Sequence, residues 1–362
     1  MSEAGRTSVV VIGLVVAVVV IGALAYLMLS SPSSSQLQSV VIRIGYQPST
    51  HQVAEFILVE KNWIVEEAKK LGYNVTIVEE MFPSGPPEME RFMSGALDVV
   101  YVGATPVIAE VGHAIDTGAP IAKIVAPANT MGSALVMRSD FNYTGPQSLK
   151  GCRIGVFPPG SIQDTVMKKW LKDNGLTYGG PGEDVDVVLV SGGPQELVES
   201  LCAGHIDGAL LPSPSPEILE MRGVGKIVVT SSEMWPNHAC CVVAISDKFI
   251  RDYRDLAVLI VKLHIKAQQF ISENVSETID IATTRLSRDW QYNESFTRMV
   301  MEKSYIENPT HMEFPTDLNL IVDSVMEFAE VHYELGYIPV HLTQEDLFDF
   351  SVYQEALSEL QD

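Results

Sequence analysis

Gly160-Ser161-Ile162-Gln163-Asp164 has the makings of an anion cradle. A serine with a carboxylate three residues on is an N-cap with its N3 partner. The first turn of a helix also carries backbone N–H groups that have no acceptor within the helix. Ser161 either caps its own helix alone or also offers its hydroxyl to a ligand. An inward-facing Asp164 carboxylate would oppose a simple anion pocket. Other polar and small residues fall at similar junctions. Gln47, Pro48, Ser49 and His51 follow an apolar run, and His51 is either a hydrogen-bonding group for a ligand or an exposed residue in a first helical turn. Gly103-Ala104-Thr105-Pro106 places a threonine where it can cap a helix and still present its hydroxyl and N–H. Ser84 opens a Gly-Pro turn. In Asn129-Thr130-Met131-Gly132-Ser133, a polar side chain or the Gly132 backbone can reach a ligand. Ser213 and Ser215 lie in Pro212-Ser213-Pro214-Ser215-Pro216, which either shapes a pocket or is only a stiff loop. Trp235 and His238 precede the last strand, and Trp235 either covers a ligand or packs in the core.

The elements that position these residues come from a duplicated pattern. Ser84-Gly85-Pro86-Pro87-Glu88-Met89 leads through a helical stretch to Gly95-Ala96-Leu97-Asp98 and the apolar run Val99–Val102. About a hundred residues on, Gly192-Gly193-Pro194-Gln195-Glu196-Leu197 leads to Gly204-His205-Ile206-Asp207 and Gly208–Leu211. Each copy reads as Gly-Pro loop, helix, Gly-x-x-Asp turn and buried strand. Strands are expected at 40–46, 74–78, 99–102, 121–125 and 133–137, and again at 153–157, 185–190, 208–211, 227–230 and 241–245, with helices between them and almost throughout from 247. Such alternation predicts mostly parallel, doubly wound sheets in two similar halves with a cleft between them. Ligands then sit beyond the carboxyl ends of strands, where the candidate loops fall.

The composition excludes several classes. A net charge of −22 over 362 residues leaves no basic face for nucleic acid. Asp98 and Asp207 are equivalent in the repeat and sit at turns into buried strands, where an aspartate bonds local N–H groups rather than acting as acid or base. There is no P-loop, His-Glu-x-x-His, Cys-x-x-Cys or Gly-x-Ser-x-Gly motif, and the eight histidines are scattered. No catalytic residue, metal site or cofactor is expected. Val9 to Leu29 is an uncharged apolar run of 21 residues preceded by Arg6. It is long enough to span a bilayer with the bulk of the chain outside the cytoplasm. Ala23-Leu24-Ala25 keeps a cleaved signal peptide open as the alternative. Residues 30–39 read as a polar tether. Asn74, Asn142, Asn274 and Asn293 stand in Asn-x-Ser/Thr triplets. Cys202 either pairs with Cys240 or Cys241 or stays free.

The chain resembles the solute-binding proteins of ABC importers, of the nitrate/sulfonate/taurine type. The resemblance is carried by Ile44-Gly45-Tyr46-Gln47-Pro48, Ser94-Gly95-Ala96-Leu97-Asp98, Val102-Gly103-Ala104-Thr105-Pro106, Ser148-Leu149-Lys150-Gly151, Arg153-Ile154-Gly155-Val156 and the second Gly-x-x-Asp turn. It implies a type II periplasmic binding protein fold: two doubly wound α/β lobes, joined by crossovers near 137–142 and 234–238. Lobe 1 is then 40–137 plus 239–362 and lobe 2 is 138–238, after an anchor at 1–29. It further implies a monomeric receptor, not an enzyme. Such a receptor holds a small anionic or zwitterionic solute at the loops named above and delivers it to a membrane permease and its ATPase. A pyrimidine-precursor enzyme on the same fold and a ligand-sensing ectodomain are the alternatives. The first needs a Cys-rich run where this chain has only Cys240-Cys241, and the second lacks a signalling domain before the anchor.

Overall fold

The computed structural model describes residues 37–115, 117 and 121–361. Strands β1 Gln38–Tyr46, β2 Tyr73–Met81, β3 Val99–Gly103 and β4 Ala122–Pro127 lie in the first half of the chain. They are followed by β5 Ser133–Arg138, β6 Arg153–Val156, β7 Tyr178–Gly179, β8 Val187–Ser191, β9 Gly208–Pro212, β10 Gly225–Thr230 and β11 Cys241–Ser246. Two sheets form, in the orders β2-β1-β3-β11-β4 and β10-β5-β9-β6-β8-β7. The apolar strands β3 and β9 are buried along their whole length at or beside the middle of each sheet.

The sheets are mixed rather than simply parallel, for a reason shared by both halves. β1 runs parallel to β3, and β6 runs parallel to β8 and β9. β11 is antiparallel to β3 and β4, and β5 is antiparallel to β9 and β10. β5 and β11 are the strands by which the chain enters one sheet from the other, so each arrives with reversed direction. This moves the first crossing. The expected crossover at 137–142 and the boundary at 138 fall too late, because Ser133–Arg138 already pairs in the second sheet, and the connection is 128–132. The return connection, 231–240, includes the expected 234–238.

The two connections lie side by side. Met131 N donates to the His238 carbonyl at 3.0 Å, Cys240 N to the Asn129 carbonyl at 3.0 Å, and the Asn129 side-chain oxygen accepts from Cys241 N at 3.0 Å. From behind, His264 Nε2 meets the Pro127 carbonyl at 2.8 Å and Gln268 Nε2 meets the Ala128 carbonyl at 2.6 Å. A carbonyl only accepts, so His264 carries its proton on Nε2, and Nδ1 accepts from Tyr101 Oη at 3.1 Å. Burial lowers the His264 pKa to about 4. The unfolded chain, with an imidazole near 6.5, therefore takes up this proton first as pH falls. Stability is full above about pH 6.5 and should fall toward pH 4, by up to about 3 kcal/mol from this group. Urea unfolding at pH 7 and pH 4.5 should show His264→Gln to be less acid-sensitive than the parent chain.

The repeat has a structural basis. Asp98 Oδ2 accepts from Arg43 N at 2.9 Å while Asp98 N donates to the Arg43 carbonyl at 2.9 Å. Asp207 Oδ2 accepts from Arg153 N at 2.8 Å and Asp207 N donates to the Arg153 carbonyl at 2.8 Å. Each aspartate pins the start of a central strand to its parallel neighbour. Asp207→Ala should cost about 1–2 kcal/mol in chemical denaturation, and Asp207→Asn, which keeps the acceptor, well under half of that.

The expected membrane segment and almost all of the expected tether lie outside the described residues. The tether's end does not, and there β1 already begins at Gln38. Among the described residues no helix is long and apolar enough to cross a membrane. All four cysteines are free thiols. Cys202 lies against Arg222 at 3.8 Å, whereas Cys240 and Cys241 lie against His51, so the alternative of free thiols holds.

Candidate functional site

Between the two sheets lies a cavity whose wall is drawn from both. The segment after β1 supplies Gln47, Pro48, Ser49 and His51, the end of β3 supplies Gly103, and the second half supplies Phe157, Ser161, Ile162, Gln163, Ser213 and Ser215. Cys240, Cys241 and Trp290 also line it, with Gly85 and the prolines Pro83, Pro106, Pro194, Pro212 and Pro214. The remaining space is about 30 Å³, room for roughly two water molecules.

Helix starts converge here because each helix follows a strand that ends at the cleft. Gly85 opens the helix Gly85–Met93, Gly103 precedes Ala104–Ala114, Ser161 precedes Ile162–Asp173, and Pro194 opens Pro194–Cys202. All of these residues line the cavity. The positive ends of four helix dipoles therefore face one small volume. Pro86, Pro87, Pro106 and Pro194 in those first turns carry no N–H, and Ala104 N is already bonded to the Cys240 carbonyl at 2.8 Å. Among the described residues no lysine or arginine lines it. Ser161 does cap its helix, accepting from Asp164 N at 3.3 Å, and both of its expected roles are compatible with its place in the wall. Gln163 Nε2 donates to Ser133 Oγ at 3.0 Å.

Ten of the twenty residues singled out in the sequence line this cavity: Gln47, Pro48, Ser49, His51, Gly103, Ser161, Ile162, Gln163, Ser213 and Ser215. The others do not, for identifiable reasons. Ser84 is buried beside the lining residues Pro83 and Gly85. Ala104 and Thr105 are buried one and two residues inside the helix that Gly103 starts. Asn129, Met131 and His238 are spent on the paired connections. Gly132 lies behind His51, its carbonyl 2.8 Å from His51 Nε2. It has φ +84°, and a Cβ there would stand 2.7 Å from that nitrogen, so only glycine fits. Gly160 N donates to Asp164 Oδ2 at 3.2 Å.

Asp164 turns away from the cavity, which removes the objection to an anion there. Its carboxylate takes a hydrogen bond from Tyr337 Oη at 2.5 Å and an ion pair from Lys168 at 2.8 Å. Tyr337 belongs to the first half, since the adjoining Ile338 packs against Gly112 in the helix that follows β3. Thr165 Oγ1 meets His332 Nε2 at 2.9 Å in the same seam. Trp235 lies there too, with its indole N–H on Glu327 at 3.1 Å and its ring on Phe328 at 4.4 Å, so it packs rather than covers a ligand.

Sequence reasoning missed Trp290, Phe157 and the cysteines. Trp290 closes the wall by donating from Nε1 to the Pro48 carbonyl at 2.7 Å, across 242 residues, and no local pattern announces that contact. Cys240 Sγ is 3.3 Å and Cys241 Sγ 3.9 Å from His51 Nδ1. A hydrogen bond from Cys240, with His51 and Gln52 adding to it, holds the buried Cys241 thiol down at about 5. The same bond and burial push Cys240 up. Glu217, bonded by Ser213 Oγ at 2.7 Å, is raised by burial. Glu88, bonded by Gln47 Nε2 at 2.8 Å, is raised well above the usual range by burial.

Comparison with known proteins agrees with this architecture. The chain is 26% identical over 351 residues, 96% of its length and 97% of the relative's, to a Bacillus subtilis (strain 168) protein named as an aliphatic sulfonates-binding protein. The alkanesulfonate-binding protein SsuA from Xanthomonas axonopodis pv. citri, solved bound to MOPS, superposes with a TM-score of 0.66 at 16% identity, covering 86% of this chain and 99% of that one. The periplasmic nitrate-binding protein NrtA from Synechocystis PCC 6803 gives a TM-score of 0.68 at 16% identity, covering 89% of each. The model of the NMT1-like family matches residues 35–287. With a two-lobed α/β fold of the periplasmic binding protein kind and a cavity between the lobes, this chain belongs to the NMT1-like family.

Proposed function

We propose that the chain is the extracytoplasmic receptor of an ABC importer, and that it binds one small anionic or zwitterionic solute of the sulfonate, nitrate or carboxylate class between its lobes. The observation that carries this reading is the convergence of four helix starts on a cavity with no cationic side chain among the described residues of its wall. A chain of net charge −22 repels anions at long range, so the attraction must come from dipoles and N–H groups at contact distance. The first turn at Ser161–Gln163 would hold the charged head, and Gln47, Ser49, Ser213 and Ser215 would supply further hydrogen bonds. The cavity suits the head group alone, and a longer solute requires the lobes to part by hinge bending at 128–132 and 231–240.

The names of the relatives support the solute class. Delivery to a permease and its ATPase, action as a monomer, and attachment by the Val9–Leu29 segment belong to the same proposal. The reading is of a receptor without chemistry, in line with relatives that are named as binding proteins. Isothermal titration of the full-length chain with nitrate, taurine, short alkanesulfonates and small carboxylates should give one site per chain for at least one of them. Binding should fall at least tenfold when Gln163 is replaced by alanine. A folded chain that binds none of the panel would refute the solute class.

A further inference from the structure

His51 and the Cys240-Cys241 pair, 189 residues apart, meet in the cavity wall with their donor atoms facing one another. The Gly132 carbonyl, 2.8 Å from His51 Nε2, can only accept, so that nitrogen carries the proton and Nδ1 presents a lone pair. Nδ1 looks at the two sulfurs, at 3.3 and 3.9 Å, and all three atoms lie within 4.8 Å of one another. Tetrahedral zinc, with Zn–S of about 2.3 Å and Zn–N of about 2.0–2.1 Å, demands sulfur-to-nitrogen separations of about 3.5 Å. The observed pair of distances brackets that value. A backbone carbonyl that orients the outer nitrogen of a histidine is the usual support of a metal-bound imidazole. The strand start that carries both sulfurs is fixed by Cys240 N on the Asn129 carbonyl and Cys241 N on Asn129 Oδ1.

We propose that His51 Nδ1, Cys240 Sγ and Cys241 Sγ form a binding site for one thiophilic d10 cation of the zinc class, with its fourth position open to the cleft. Two thiolates balance a dication, which lets the charge sit in a wall where all three ligands are buried. Soft sulfur donors select against magnesium and calcium. The site stands independently of the solute assignment, because its three ligands all come from the chain itself.

The test uses the full-length chain, reduced and stripped with a chelator, titrated anaerobically with cobalt(II) alone and then with zinc(II). One equivalent of cobalt should produce a sulfur-to-metal charge-transfer band with the visible bands of a tetrahedral ion, and zinc should displace it. The charge-transfer band should vanish in Cys240→Ser/Cys241→Ser and persist in Cys202→Ser. His51→Gln should weaken cobalt at least tenfold. A second readout needs no variant: zinc, but not magnesium, should protect Cys240 and Cys241 from alkylation mapped by mass spectrometry. A chain that shows no charge-transfer band and no protection contains only thiol-to-imidazole hydrogen bonds, and the proposal is then wrong.

Discussion

Replacing Arg285 with leucine should destabilise the chain by about 3–5 kcal/mol, the largest single effect expected outside the cleft. The side chain is 1% exposed and reaches three carboxylates: Glu79, Glu60 at 3.2 Å and Glu55 at 3.5 Å. Its guanidinium also lies 5.0 Å from the Tyr46 ring centroid and 4.7 Å from that of Phe56. It ties the helix Val275–Trp290 to β1, β2 and the helix Val53–Glu60, and so fixes Trp290 at the cavity. The partners are unequal. Glu55 is fully buried, and neither of its oxygens has a hydrogen bond. Burial raises its pKa well above the usual range, although Arg285 pulls the other way. The 3.5 Å contact alone would suggest an ion pair, but two unpartnered oxygens at zero exposure favour the neutral acid, with Glu79 as the charged partner. Glu55→Gln should therefore be tolerated. A raised carboxyl pKa means that its contribution to stability is present below about pH 4.5 and is lost as pH rises through the folded value. The advantage of Glu55→Gln should accordingly grow from pH 5 to pH 8. Urea denaturation at both pH values checks this, and a cost of several kcal/mol at pH 8 would show Glu55 to be ionised.

Tyr337→Phe should weaken solute binding about 10- to 100-fold although Tyr337 does not line the cavity. Its hydroxyl donates to Asp164 at 2.5 Å and also meets Lys168 Nζ. Asp164 and Lys168 lie on the helix Ile162–Asp173 in the second lobe, and Tyr337 lies in the first, so under the proposed hinge bending the bond belongs to the closed form. A hydrogen bond to a buried charge contributes about 1.5–3 kcal/mol. Removing it lowers the closed population, and the apparent affinity falls in the same proportion. Small-angle scattering of the variant without solute should show a larger radius of gyration than the parent chain, while the melting temperature moves by only a few degrees. A variant with unchanged affinity would mean that closure does not use this seam.

The loops that line the cavity are legible in the sequence because strand ends, glycines and N-caps are local signals. Gln47, Gly103, Ser161 and Ser213 were found that way, and so was the shared role of Asp98 and Asp207. What was not legible depends on contacts across the fold. The first crossing was placed too late because Ser133–Arg138 is as apolar as a strand of the first sheet, and only its pairing with β9 assigns it to the second. Asp164 has the spacing of a capping partner, which says nothing of a tyrosine 173 residues away. From the sequence alone His51 reads equally as a group that bonds a ligand and as an exposed histidine of a first helical turn. Only the fold shows that its ring meets two sulfurs from the return strand.

The central claim is that one solute is held between the two lobes by helix starts rather than by cationic side chains. A crystal structure of the full-length chain with a saturating sulfonate or nitrate tests it most directly. The account expects the anion's oxygens within hydrogen-bond distance of the Ser161–Gln163 turn and of at least one group from the Gln47–His51 loop, with no lysine or arginine in contact. An anion bound instead to a surface cation, with the cleft unchanged, would contradict it.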